Sequence, residues 1–134
     1  MSDLGPIVFD DLERLTLDQR EIGVYDGPIG LRLLYEDAAS GEEHYLIRYP
    51  AGLEAQWHRH SAAHTIVVLE GKLMVNGRVI GSGSYCHYPA GEPMHHAPAD
   101  NEPCLFLNLF HGPSDVEQID SPKPPTAEQT KAVS

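Results

Sequence analysis

A chain of 134 residues with 41% apolar side chains is one domain with enough hydrophobic material for a core. Nine basic against twenty acidic residues leave a net charge of −11, which argues against a nucleic-acid backbone or an anionic membrane surface as partner. No apolar run nears the roughly 20 residues that cross a bilayer, and the N-terminus lacks the pattern of a signal peptide, so a cytoplasmic protein is expected. Cys86 and Cys104 lack Cys-x-x-Cys spacing and read as buried thiols.

Residues 1–20 are mixed in pattern. Leu12, Leu15 and Leu17 suit an edge strand or a short helical turn, and the segment reads as an N-terminal arm or edge strand. Leu31 to Glu36 alternates, with Leu31, Leu33 and Tyr35 on one face. Asp37 to Gly41 is turn chemistry, and Tyr45, Ile47 and Tyr49 alternate through a strand ended by Pro50-Ala51-Gly52. Thr65 to Leu69 is short and β-branched, as a buried strand should be. Asn76-Gly77, between Lys72–Val75 and Arg78–Ile80, is the favoured two-residue hairpin turn. Tyr85 to Tyr88 runs into a sharp turn at Pro89-Ala90-Gly91, and Cys104 to Phe110 is a nearly continuous apolar strand carrying one Asn. Strands recurring about every 8–12 residues between Gly/Pro turns indicate an all-β sandwich or barrel. We assign the barrel to residues 21–112. The composition changes after Gly112, Ser121 to Pro125 cannot pair in a central strand, and residues 113–134 read as a Pro-rich C-terminal tail.

His58, His60 and His64 share one parity. Alternate strand residues point to one face, so His58 and His60 aim at one point. Four residues of straight strand span about 13 Å, so Ser61-Ala62-Ala63 must turn to bring His64 back. A lone strand histidine is ordinarily a surface residue, but three neutral imidazoles converging at one end of a sheet make a metal site. His44, His87 and His111 lie off this pattern and are given no role.

The stretch Gly52 to Gly71 resembles the first motif of the cupin family, Gly-x5-His-x-His-x3,4-Glu-x6-Gly. Gly52, His58, His60 and Gly71 fall on the pattern, and His64 stands at the family's glutamate position. Gly83, Pro89 and Gly91 resemble the second motif, Gly-x5-Pro-x-Gly-x2-His-x3-Asn, whose histidine comes late here, at His95 or His96. Adjacent strand residues face opposite ways, so one of the two points inward. Counting from Gly91 favours His95. Keeping the ligand parity of position 94 favours His96, which we take as fourth ligand beside His58, His60 and His64. The resemblance implies a small jelly-roll cupin barrel holding one divalent transition metal, Fe(II) by preference, with Zn, Ni, Mn and Cu as alternatives.

Three histidines and a carboxylate leave one positive charge on a divalent ion, whereas an all-histidine set leaves two and favours a bidentate, anionic oxygen ligand such as an enolate. Comparable three-histidine sites in the family occur in dioxygenases that cleave β-diketones and in thiol dioxygenases. By that resemblance we expect a mononuclear, His-ligated, dioxygenase-like enzyme for a small oxygenated molecule. Its dry pocket would come from Ile66, Val68, Leu73, Val75, Phe106 and Asn108. The alternatives are a non-catalytic metal- or small-ligand-binding cupin or sensor, a metal-dependent isomerase or lyase with Tyr88 or His95 as base, and a structural zinc closed by four histidines. Tyr49 and Gln56 are further pocket candidates, and Trp57 should face away. A homodimer is expected, because small barrels expose edge strands and apolar faces.

Overall fold

The computed structural model describes residues 5–120, in which strands and turns dominate. The strands are β1 (Asp18–Arg20), β2 (Ile29–Asp37), β3 (Glu42–Tyr49), β4 (His58–His60), β5 (His64–Glu70), β6 (Lys72–Val75), β7 (Arg78–Gly81), β8 (Tyr85–Tyr88), β9 (His96–Pro98), β10 (Cys104–Phe110) and β11 (Val116–Gln118). They form a six-stranded sheet in the order β1-β2-β3-β10-β5-β8, a three-stranded sheet β7-β6-β9 and a β11-β4 pair, an all-β jelly-roll arrangement. Every pairing is antiparallel.

The core lies between the sheets. Ile47, Tyr49, Ile66, Val68, Leu73, Cys104 and Phe106 are buried there with Met94 and Tyr88. Their alternation along β3, β5 and β10 follows from the two-residue period of a strand with one face on the core. Asn76 and Gly77 take positive φ values of 49° and 86°, so β6 and β7 are joined by the tight hairpin turn that this dipeptide favours. That hairpin carries function, because β6 also pairs with β9 and sets Val75 opposite His96.

Gly71 connects β5 to β6 with φ 74°, and a Cβ there would stand 2.2 Å from the Pro103 carbonyl oxygen. Both the backbone angle and the contact require glycine. Gly71→Ala is therefore expected to destabilise the protein by about 2–4 kcal/mol, read as a lower midpoint in urea denaturation. A midpoint unchanged from wild type would mean that the β5–β6 turn relaxes freely.

Two expectations change. Leu33 and Tyr35 do not share a face, because the β2–β3 register shifts between them: Leu33 lies opposite Tyr45 and Tyr35 opposite His44. The irregularity at Leu34 breaks the period of two and turns Tyr35 outward against His44. The chain also does not leave the barrel at Gly112. Val116–Gln118 pairs with β4, setting Val116 opposite His60 and Gln118 opposite His58. A three-residue strand capped by polar residues carries too little periodicity to be read from sequence. The remainder of the proposed tail, 121–134, lies outside the described residues. At the other end, residues 12–14 form a 3-10 turn and β1 is an edge strand, so both structures weighed for the N-terminal segment occur in succession. Among the described residues no helix is long and apolar enough to cross a membrane.

Candidate metal centre

His58 and His60 come from β4, His64 opens β5 and His96 opens β9. All four are buried. The bend at Ser61–Ala63 is held by Ser61 N–H donating to the Asp115 carbonyl and His111 N–H donating to the Ala63 carbonyl, both at 3.0 Å. It returns His64 to the mouth. The rings touch in series, with centroids 5.5 Å apart for His96 and His58, 5.1 Å for His58 and His60, and 4.8 Å for His60 and His64. His95 points the other way and packs on Trp57 at 5.5 Å.

Three of the four rings are anchored through Nδ1. His58 Nδ1–H donates to the Gln56 carbonyl at 2.9 Å, His60 Nδ1 meets Ser114 Oγ at 3.0 Å, and His96 Nδ1 meets the Tyr49 hydroxyl at 2.5 Å. A ring held in this way presents Nε2 as a lone pair, the arrangement a metal-binding histidine takes. His96 Nε2 and both nitrogens of His64 are buried without a hydrogen-bond partner. The Ala62 carbonyl acts on the His64 ring without forming a well-aligned hydrogen bond to it. Each unpartnered buried nitrogen costs about 1–3 kcal/mol, and a cation accepting the lone pairs would remove that penalty.

Burial, followed by repulsion from neighbouring rings, lowers the pKa of His60 to about 4 and that of His64 to about 3. Burial also pushes His96 well below the ordinary range, with His58 the first of its charged-ring neighbours to add to the shift. His58 is lowered by burial against the opposing pull of the Gln56 carbonyl. The rings are thus neutral near pH 7 and free to donate. The donor set fits a divalent transition ion in chemistry. In spacing, no group of three or more His, Cys, Asp or Glu among the described residues already stands at ligand distance, so the rings must draw inward to close around an ion.

Beside the rings lies a cavity of about 200 Å³. Ile22, Val24, Ile29, Leu31 and Ile47 make its apolar wall, and His58, His60, His96, Tyr25 and Asn108 bring polar groups to it. This differs from the expected lining. Ile66, Val68, Leu73, Val75 and Phe106 instead fill the core, and of the six only Asn108 reaches the cavity. The parity of those strands was legible, but how deep along the barrel each residue sits was not.

The remaining candidates stand apart from the cavity. The Tyr88 hydroxyl donates to Asn76 Oδ1 at 3.0 Å, its ring stacks on His64 at 5.1 Å, and burial raises its pKa above the usual range. It is placed as a wall behind His64. Gln56 contributes its carbonyl to His58. His44 pairs with Glu42 at 2.9 Å on the outer face, and His87 and His111 meet across Thr65 Oγ1. Sequence reading missed Tyr25, Ser114 and Glu43. Tyr25 and Ser114 lie in irregular segments where no periodicity marks an inward side chain, and Glu43, which also lines the cavity, stands near the start of β3 beside the Asp37–Gly41 turn, where an acidic residue is ordinary.

His95→Ala should keep its full metal content and brighten the emission of Trp57, the chain's one tryptophan, by removing the imidazole stacked on it. Elemental analysis beside the emission spectrum tests this, and loss of metal would move His95 into the centre.

A family model described as ChrR Cupin-like domain matches residues 17–115. Among solved structures, a cupin-like protein from Thermotoga maritima aligns with a TM-score of 0.72 at 18% identity, covering 92% of this chain and 96% of its own. An acetylacetone dioxygenase from Acinetobacter johnsonii aligns at 0.71 and 18%, covering 90% and 83%. An RmlC-like cupin protein from Ralstonia eutropha aligns at 0.65 and 19%, covering 82% and 69%. At such identities the likeness establishes the cupin fold alone. Comparison with curated proteins finds no match.

Proposed function

The chain belongs to the ChrR cupin-like domain family, within the cupin superfamily, and on that premise we propose that it is a metal-dependent enzyme for a small oxygenated molecule, dioxygenase-like in its chemistry. One divalent transition ion, Fe(II) by preference, is held by His58, His60, His64 and His96. The observation that carries this reading is the set of buried, unpartnered nitrogens on His64 and His96 within a contiguous cluster of four neutral rings.

When bound, the ion supplies Lewis-acid polarisation of a chelating oxygen ligand and, as Fe(II), electrons for dioxygen. The chain supplies the rest. Gln56, Ser114 and Tyr49 orient three of the rings through their Nδ1 atoms, the supporting contacts on which ligand geometry depends. Ile22, Val24, Ile29 and Leu31 line the cavity with apolar surface that disfavours water. Burial holds the Tyr25 hydroxyl protonated, with its pKa near 12 despite the opposing bond to Tyr49, so Tyr25 acts there as a hydrogen-bond donor.

Elemental analysis of purified protein, followed by oxygen uptake by the Fe(II)-loaded form with pentane-2,4-dione, tests the proposal. About one ion per chain and substrate-dependent oxygen consumption are expected. Protein that takes up no Fe(II), Zn, Ni, Mn or Cu rejects the metal reading, and a loaded but inert protein favours binding without turnover. That second reading has its own support: four nitrogen donors complete a tetrahedral zinc, and His64 stands where the family carries a carboxylate. We also propose a homodimer, since Ile7, Val8, Leu33 and Tyr35 leave apolar surface exposed. Light scattering that shows a monomer at micromolar concentration would reject it.

A further inference from the structure

We propose, resting on the metal reading above, that Tyr25 is a positioning residue for the ion: it fixes the tautomer of His96 by taking the proton of Tyr49. The three groups form a chain. His96 Nδ1 lies 2.5 Å from the Tyr49 hydroxyl, and that hydroxyl lies 2.5 Å from the Tyr25 hydroxyl. The bridge between Tyr25 and Ala55 holds the outer phenol in place.

The three anchored rings differ in what fixes their hydrogen. Gln56 offers His58 a carbonyl, which only accepts, so Nδ1 of His58 carries the hydrogen and Nε2 the lone pair. Ser114 and Tyr49 offer hydroxyls, which can accept or donate. A hydroxyl that donated to Nδ1 would leave the hydrogen on Nε2 and close the ring to a metal. Ser114 is only half-buried, so solvent can take its proton and leave its oxygen for His60. Tyr49 has no such outlet, because it is 0% exposed. Among the described residues its hydroxyl meets His96 and Tyr25.

Two directions are open to the chain. If Tyr49 donates to Tyr25, His96 Nδ1–H donates to the Tyr49 oxygen and Nε2 keeps its lone pair. If Tyr25 donates to Tyr49, Tyr49 donates to His96 Nδ1, and the hydrogen sits on Nε2, a buried atom with no partner. Orphaned buried donors are rarer in proteins than under-used acceptors, so the first direction prevails even before an ion arrives. It leaves over the Tyr25 proton, and Tyr25 borders the cavity, where solvent can accept it. Tyr25 also meets His58 edge-on, with centroids 6.4 Å apart, so the rival is a role in packing alone.

Nitrogen NMR of the His96 ring in metal-free protein, with zinc affinity from chelator competition, separates the two. Wild-type His96 should carry its hydrogen on Nδ1. Tyr25→Phe keeps the ring and removes one oxygen, so Tyr49 has only His96 left to receive its proton. The His96 hydrogen should then move to Nε2, and zinc should bind about 10–100-fold more weakly. In a Tyr49→Phe background the same substitution should change zinc affinity less than about twofold, because Tyr25 acts through Tyr49. A packing role would weaken zinc equally in both backgrounds and leave the tautomer in place. Hydrogen on Nε2 in wild type, or Nδ1–H retained in Tyr25→Phe, overturns the proposal. So does a zinc effect that survives the loss of Tyr49. The wild-type measurement needs no variant and stands even if Tyr25→Phe fails to fold. Wild-type protein that takes up no zinc removes the metal reading instead, and the tautomers then decide this one.

Discussion

His58→Ala and His60→Ala will each purify with less than a tenth of the wild-type metal content, while His44→Ala keeps all of it. β4 is three residues long and sends both rings to the same point, and it is pinned on one side by β11 and on the other by the bridge from His58 to Met94. No neighbouring side chain can take over a ligand position lost from so short and constrained a strand. Loss of a supporting contact alone commonly weakens a metal site 10–100-fold, and loss of a donor removes more. His44 belongs to the outer face, bonded to Glu42, and reports on non-specific effects of losing a histidine. Elemental analysis of the variants, with circular dichroism as a check on folding, reads the outcome. Stoichiometric metal in both site variants would refute the assignment of these rings as ligands.

The chelator-treated protein will lose stability steeply on acidification, between about pH 6.5 and pH 4. The sign follows from linkage. In the unfolded chain the imidazoles protonate near pH 6.5, whereas in the folded chain burial holds His60 near 4 and His64 near 3. Between those limits the unfolded state binds more protons, so stability falls as pH falls. At about 1.4 kcal/mol for each unit of difference, two such rings cost the fold on the order of several kcal/mol. For a domain of this size that is a drop of about 10 °C or more in Tm. Metal at saturating concentration adds its own binding free energy and should raise Tm at neutral pH. A Tm of the chelated protein that stays flat from pH 7 to pH 4.5 would show that the rings are already charged or solvated in the folded state. Scanning calorimetry across that range decides the matter.

Much of the site was legible because its elements repeat simply. The period of two along β4 put His58 and His60 on one face, the small residues Ser61–Ala63 implied a bend, and Asn76-Gly77 marked a hairpin. Parity likewise separated His95 from His96 once position 94 was taken as the reference, and the two rings do face opposite ways. What failed, failed where the period broke. The shift at Leu34 turned Tyr35 outward, and β11 was too short to distinguish from a tail. The cavity lining was placed too deep, in residues that fill the core instead.

Local chemistry in the chain thus determined which strands form and which histidines share a face, since alternation and turn preference act over a few residues and need no partner. It carried no record of which distant side chains complete the site. Tyr49 beneath His96, Ser114 beside His60, Tyr25 at the end of its hydrogen-bond chain and Asn108 on the cavity wall come from four separate segments. Only the pairing of β3, β5, β9, β10 and β11 brings them together. Long-range strand register sets those distances, and a one-residue slip would send each inward group to solvent, so the supporting groups and the cavity belong to the tertiary structure alone.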